Sequence, residues 1–181
     1  MKKSLILLAL STVCLLGQSL DFSSLDKLAA KAKEVNRVSL DENQLRAALQ
    51  MLSADKGNEK DMEQVRKLAS GLTSVTVRNF AFAKPGQYRD ADLNDIRSQF
   101  AKLKNWAKII DTKEANEHSE IYMLTEGDKP AGFAVISAES QEVSVVFIKG
   151  ALKLNDLGGL GGLMGLPTMR VGPNQSDETK K

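Results

Sequence analysis

Asp90, Asp92 and Asn94 stand at alternate positions, the spacing with which a calcium-binding loop presents its first oxygen ligands. A complete EF-hand loop also needs Gly at its sixth position and Glu at its twelfth, where this chain has Asp95 and Ala101. The same acids suit the first turn of a helix, where carboxylates accept from unpaired N–H groups and face the positive end of the helix dipole. That capping role is the one expected for them. His118 is the one histidine and lies in the polar run Asn116-Glu117-His118-Ser119. It reads as a solvated turn residue between two strands, the competing reading being a general base or pH sensor. The one cysteine is Cys14. Zinc and haem centres draw on clustered Cys and His, so neither a metal site nor a cofactor is expected.

Other catalytic patterns are equally thin. The chain has no Gly-x-Ser-x-Gly elbow, and any Ser-His-Asp triad would have to use His118. The glycines of Leu157 to Gly165 are not followed by Gly-Lys-Ser/Thr and do not match the Gly-x-Gly-x-x-Gly spacing of a dinucleotide site. With 23 Asp and Glu in the chain, some pair of carboxylates must lie close together, but nothing singles out the two that a glycoside hydrolase would use. No catalytic residue is therefore assigned. Tyr88 and Trp106 are the candidates for an aromatic ligand platform, but aromatics are only 5% of the chain, and Trp106 follows an amphipathic helix directly. A packing role is expected for it.

Lys2 and Lys3 precede an apolar run from Leu5 to Leu16, which ends in Gly17-Gln18-Ser19. A charged start, an apolar run of this length and small residues beyond it make a secretory signal peptide, with cleavage expected after Ser19. The run is shorter than the roughly 20 residues of a bilayer span. Cys14 does not make a lipobox, because Ser11 and Val13 stand where that signal has Leu and a small residue. The chain carries 25 Lys and Arg against 23 acids, a formal charge of +2. Removing Lys2 and Lys3 brings that to zero, with basic and acidic residues interspersed, so nucleic-acid binding is not expected. The mature protein is expected outside the cytoplasm, in the periplasm or secreted, with no transmembrane span.

The elements that must position these residues follow from periodicity. Ser23-x-x-Asp26 has the form of a capping box, and Leu25, Leu28, Ala29, Ala32 and Val35 recur at helical spacing. Asn36 to Leu40 is at most a short strand. Asp41 and Gln44 open a second helix with a Leu45, Ala48, Leu49, Leu52 stripe, and Met62, Val65, Leu68 and Ala69 mark a third after the polar segment Ser53 to Asp61. Val75 and Val77 alternate in one phase and Phe80 and Phe82 in the other, which predicts a β-bulge near Arg78 or Asn79. A fourth helix spans Ala91 to Lys104. Trp106 to Asp111, Glu120 to Thr125, Ala131 to Ser137 and Val143 to Ile148 read as strands joined by short connections, an antiparallel meander. A short helix is expected around Lys153 to Leu157. The whole is an α+β fold: a mainly antiparallel sheet of about five strands, Asn36 to Leu40 being an extra one, with four helices packed on one side. The expected organisation is a signal peptide at 1–19, a single α+β domain at 20–167 and a disordered C-terminal tail at 168–181.

Leu157 to Leu166 sets five apolar side chains, Leu157, Leu160, Leu163, Met164 and Leu166, among five glycines. The segment reads either as a loose cap on the sheet or as a docking segment for a partner or membrane surface, because adaptable Leu and Met side chains fit varied surfaces. These five residues are the candidate partner-docking site.

The signal peptide, the paired early helices, VTVRNFAF, the PGQY turn, FAKLKNW and GFAVISAESQEVSVVFIKGALKL together resemble the DUF4252-like family of secreted bacterial domains of unknown function, from about Leu20 to Pro167. The resemblance implies an exported α+β domain without an assigned activity, so it contributes no site residue; proximity of family members to envelope-signalling regulators implies a periplasmic accessory role as an alternative. The function expected is that of an exported non-catalytic domain binding a protein or envelope component. The remaining alternative is a hydrolase using carboxylates that the sequence does not identify.

Overall fold

The computed structural model describes residues 20–54, 66–67, 70–151 and 153. Its C-terminal half is the expected meander: β3 (Trp106–Lys113), β4 (Glu117–Glu126), β5 (Lys129–Glu139) and β6 (Glu142–Gly150) pair antiparallel in succession. Short polar connections leave no room for anything but hairpin-like returns, and Gly127 takes the left-handed conformation (φ 62°) that the β4–β5 turn requires. Earlier in the chain, β1 (Glu34–Asp41) pairs with β2 (Leu72–Ala81), and β2 docks antiparallel against β6. The result is one sheet of six strands in the order β1-β2-β6-β5-β4-β3. The segment from β2 to β3 therefore crosses from one half of the sheet to its far edge.

Alternation along the strands gives this sheet two buried faces. Val75 and Val77 of β2, Phe133 and Val135 of β5, and Val146 and Ile148 of β6 share one cluster with Leu45 of α2 (Glu42–Ala54). Phe80 and Phe82, Tyr122, Ile136, Val143 and Val145 lie in the other with Leu28 of α1 (Asp26–Ala29) and Ile96 and Phe100 of α3 (Asn94–Lys102). Helices thus cover both faces rather than one. The phase change between Val77 and Phe80 follows from the same fact: no bulge occurs at Arg78 or Asn79, and the pairing with β1 is continuous there. An uninterrupted strand simply buries its odd residues on one side and its even residues on the other. The irregularities lie elsewhere, between Leu72 and Ser74, between Lys108 and Ile110 and between Leu124 and Thr125.

The first expected helix is cut short. A 3-10 turn at Ser23–Leu25 leads into α1, which ends at Ala29, and Val35 pairs with Phe80 in β1 instead of completing a helical stripe. The Ser23-x-x-Asp26 capping box does not form; Asp21 accepts from the Ser23 N–H (2.8 Å) and hydroxyl (2.8 Å) instead. The capping box of α2 does form, with Gln44 N–H donating to Asp41 Oδ1 (2.8 Å) and Asp41 N–H to Gln44 Oε1 (2.9 Å). The strand count is six, against about five expected, because β1 is a full eight-residue strand. Among the described residues there are three α-helices, against four expected. Of the expected helix around 62–69, residues 66 and 67 are described and helical, and the rest lies outside the described residues. The signal peptide expected at 1–19, the tail expected at 168–181 and all but Lys153 of the short helix expected at 153–157 also lie outside the described residues. Among the described residues, no helix is long and apolar enough to cross a membrane.

Gly150 shows how closely the central strands approach. Its φ is 144°, and a Cβ there would lie 2.2 Å from Gly71 O, so a side chain would push β6 away from the start of β2.

Candidate functional site

A cluster of charged side chains lies between α3 and the β3–β4 end of the sheet, and the bulge in β3 assembles it. In the ladder, Lys108 faces Tyr122, Asp111 faces Glu120 and Lys113 faces His118. Without an irregularity, Lys108 and Asp111 would point to opposite faces. The extra residue, Ile109, turns Asp111 onto the face that α3 covers and is itself 37% exposed.

Glu120 is the centre of the cluster and is 1% exposed. Arg97 of α3 donates through Nε to Glu120 Oε2. Lys108 Nζ lies 3.0 Å from Glu120 Oε1, and the Tyr122 hydroxyl donates to the same oxygen at 3.0 Å. Burial pushes the Glu120 carboxyl up, but the bonds from Arg97, Lys108 and Tyr122 outweigh it and hold the group below the usual glutamate range. Tyr122 responds in the opposite sense: burial and the Glu120 charge push its hydroxyl up to about 12.

Two aspartates close the network on its solvent side. Asp90 accepts from Arg97 Nη2 through Oδ1 (2.7 Å) and from Nη1 through Oδ2 (3.1 Å). Asp111 accepts from Lys108 Nζ. The Arg97 bond holds Asp90 below the usual range, and the Lys108 bond does the same for Asp111. His118 lies between them, with Nε2 2.9 Å from Asp111 Oδ1, and with Nδ1 3.1 Å from Asp90 Oδ1 and 3.2 Å from Arg97 Nη2.

His118 is therefore not a solvated turn residue. It belongs to β4, its side chain is 17% exposed, and both ring nitrogens have partners. The capping expectation for the acids near 90 is met by Asp92, which accepts from Arg89 N–H at 3.1 Å and is only 8% exposed. Asp90 instead serves as the carboxylate for Arg97. One signal for the cluster was present in the sequence: His118-x-Glu120 is the spacing that puts two side chains on one face of a strand. The bulge that adds Asp111 has no comparable mark.

Beside the cluster, a cleft of about 370 Å³ opens between α3 and the start of β3. Phe100, Ala101, Trp106 and Tyr122 wall it, and Arg97, Lys108 and Glu120 form its charged end. Phe100 stacks on Tyr122 (centroids 4.4 Å apart) and meets Trp106 edge-on at 5.0 Å, while Trp106 also leans on Phe147 at 5.6 Å. Trp106 thus has the expected packing role and lines the cleft as well. Tyr88 stacks on Phe82 (4.9 Å) and donates its hydroxyl to Glu139 O. On the other side of His118 a shallower hollow of about 250 Å³ is bordered by Tyr88, Asp90, Glu117 and Glu139. The sequence-derived docking residues Leu157, Leu160, Leu163, Met164 and Leu166 lie outside the described residues.

No curated protein and no solved structure matches the chain. A family model does match, over residues 26–160, a span that holds all six strands and every residue of the charged cluster. The chain belongs to the DUF4252 family, a domain of unknown function.

Proposed function

We propose that this chain is an exported, non-catalytic domain that binds a protein or envelope component, and that the cleft beside α3 receives an apolar side chain of that partner. The observation that carries this reading is the contrast within the cleft. Its walls are aromatic and apolar, whereas the ionisable groups at its charged end are committed to one another. A general acid–base pair needs two groups whose proton affinities are driven apart toward neutral pH. Here Asp90, Asp111 and Glu120 are all held below their usual range. Carboxylates fixed in this way support a rigid rim better than proton transfer, and a volume of about 370 Å³ falls within the range of small binding pockets.

The test is a photoreactive side chain at Ser98, on the cleft wall, in protein expressed with its leader and crosslinked in its own cell envelope. A discrete adduct should form and should be lost when Ala101→Arg fills the cleft, with the melting temperature unchanged. An adduct indifferent to Ala101→Arg would overturn the assignment of the cleft, and saturable turnover of an envelope substrate would overturn the non-catalytic reading. Export is checked on the same material: the intact mass of the exported protein should begin at Leu20.

A further inference from the structure

His118 and Glu120 alternate along β4 on the face beneath α3, and the bulge in β3 sets Asp111 opposite Glu120 on that same face. One ligating atom from each, an imidazole nitrogen and two carboxylate oxygens, lie within 4.8 Å of one another. His118 Nε2 and Asp111 Oδ1 are 2.9 Å apart. Two ligands of one tetrahedral ion, at bond lengths of about 2.1 Å, are about 3.4 Å apart, so this hydrogen-bonded pair has only to open by about half an ångström to admit one. The other ring nitrogen lies 3.1 Å from Asp90 Oδ1 and 3.2 Å from Arg97 Nη2, and an ion at Nε2 would select the tautomer in which Nδ1 donates to Asp90. A carboxylate behind a histidine is the usual support for a metal-binding imidazole, because N–H donation to it aims the opposite lone pair at the ion. Glu120 is held in place independently by Arg97 and the Tyr122 hydroxyl.

Lys108 gives the strongest indication. Its ammonium bridges Asp111 and Glu120, so the structure already places a cation against both carboxylates. Yet its side chain is 39% exposed and is carried on a flexible stem that can swing into water. With Lys108 swung away, Arg97 is the one Lys or Arg among the described residues within ion-pair distance of the carboxylates of Asp90, Asp111 and Glu120, and a metal-binding imidazole is neutral. The two negative charges left over match one divalent ion.

We infer that Asp111, His118 and Glu120 form a binding site for a divalent first-row transition-metal ion, with Asp90 and Arg97 orienting the ligands and Lys108 standing in as the cation that the metal displaces. One imidazole and two carboxylates favour an ion such as Zn²⁺ over Ca²⁺, whose ligands are oxygens throughout. Among first-row ions, Zn²⁺ should bind more tightly than Mn²⁺. Such a site stands apart from soft-metal centres built on clustered Cys and His, because its ligands come from three separate strand positions and one of them depends on a bulge.

The test is calorimetric titration of the full chain, stripped with chelator, with ZnCl₂ and MnCl₂. Expected are one ion per chain, tighter binding of Zn²⁺ than of Mn²⁺, and a loss of about tenfold or more in Zn²⁺ affinity for His118→Gln and for Asp111→Asn. Lys108→Met, which removes the competing cation, should tighten Zn²⁺ binding. His118 and Asp111 are partly exposed, and circular dichroism should show both variants folded. Absence of saturable Zn²⁺ binding in both wild type and Lys108→Met would overturn the inference. So would Zn²⁺ binding that survives His118→Gln unchanged, or weaker binding by Lys108→Met.

Discussion

The two faces of the sheet solve the same packing problem with different materials. On the α2 side, Val75, Val77, Phe133, Val135, Val146 and Ile148 make an apolar layer that needs no directional contacts. On the α3 side the core starts out equally apolar, with Phe80, Ile136 and Val143, but toward β3 and β4 it gives way to Glu120, Arg97, Lys108 and His118. An apolar layer tolerates small shifts, whereas a buried carboxylate with three donors fixes one arrangement of α3 over the strands. The difference shows where the molecule invests in precision: at the edge where the cleft opens.

Truncation should separate the two faces most sharply. Phe133→Ala opens a cavity in the apolar layer and should cost about 3–5 kcal/mol, read as a lower urea midpoint with an unchanged slope. Arg97→Met leaves Glu120 buried with less of its compensation and should cost about 3 kcal/mol. The two losses then differ in their remedy. Adding Glu120→Leu to Arg97→Met should recover most of the stability, because an apolar pair of similar volume replaces the buried ion pair without the cost of desolvation. Failure of that double variant to recover would mean that the cluster contributes through its geometry rather than through charge balance.

Smaller effects follow from pH, with opposite signs at two carboxyls. Asp92 is held below its usual value by the Arg89 backbone N–H and by Lys31, so its contribution is complete above the unfolded aspartate value and fades as pH falls below about 4. Asp92→Asn should therefore flatten the acid limb of the stability profile. Glu139 is raised, by burial and by the neighbouring charges of Glu117 and Glu142. Its ionised form opposes folding, so Glu139→Gln should add under about 1 kcal/mol at pH 7, a gain that disappears as the pH is lowered and Glu139 itself takes up a proton.

The legible parts of this fold are those set by local chemistry. The meander follows from strand-like, largely apolar runs interrupted by Gly127-Asp128-Lys129-Pro130 and by Glu139-Ser140-Gln141, and α2 follows from the reciprocal Asp41–Gln44 cap. The first helix was misread because Ala32 and Val35 continue a helical period by coincidence, while the pairing of Val35 with Phe80 is a long-range choice. Two-sided burial of β2 was mistaken for a bulge, since one strand's phase cannot tell which faces are covered. The cluster was hidden for a related reason. It takes Asp90 from the 3-10 turn Asp90–Leu93, Arg97 from a helix, Asp111 from beyond a bulge, and His118 and Glu120 from the adjoining strand, and apart from the His118-x-Glu120 alternation no spacing in a linear sequence relates these five.

The place of β2 against β6 bears on how the chain reaches this structure. Val75 pairs with Ile148, at the centre of the sheet and across most of the domain's sequence. The meander needs only short loops to close, so it can form early, and joining β1 and β2 to it requires closing a much longer one. Until that step, the inner edge of β6 lies open. Val143 and Val145 to Ile148 along it are all apolar or aromatic, a sequence suited to pairing with the same edge of another molecule. Substitutions that weaken β2, such as Val75→Ala, should prolong that open stage and lower the yield of refolding at high protein concentration while leaving the yield in dilute solution intact.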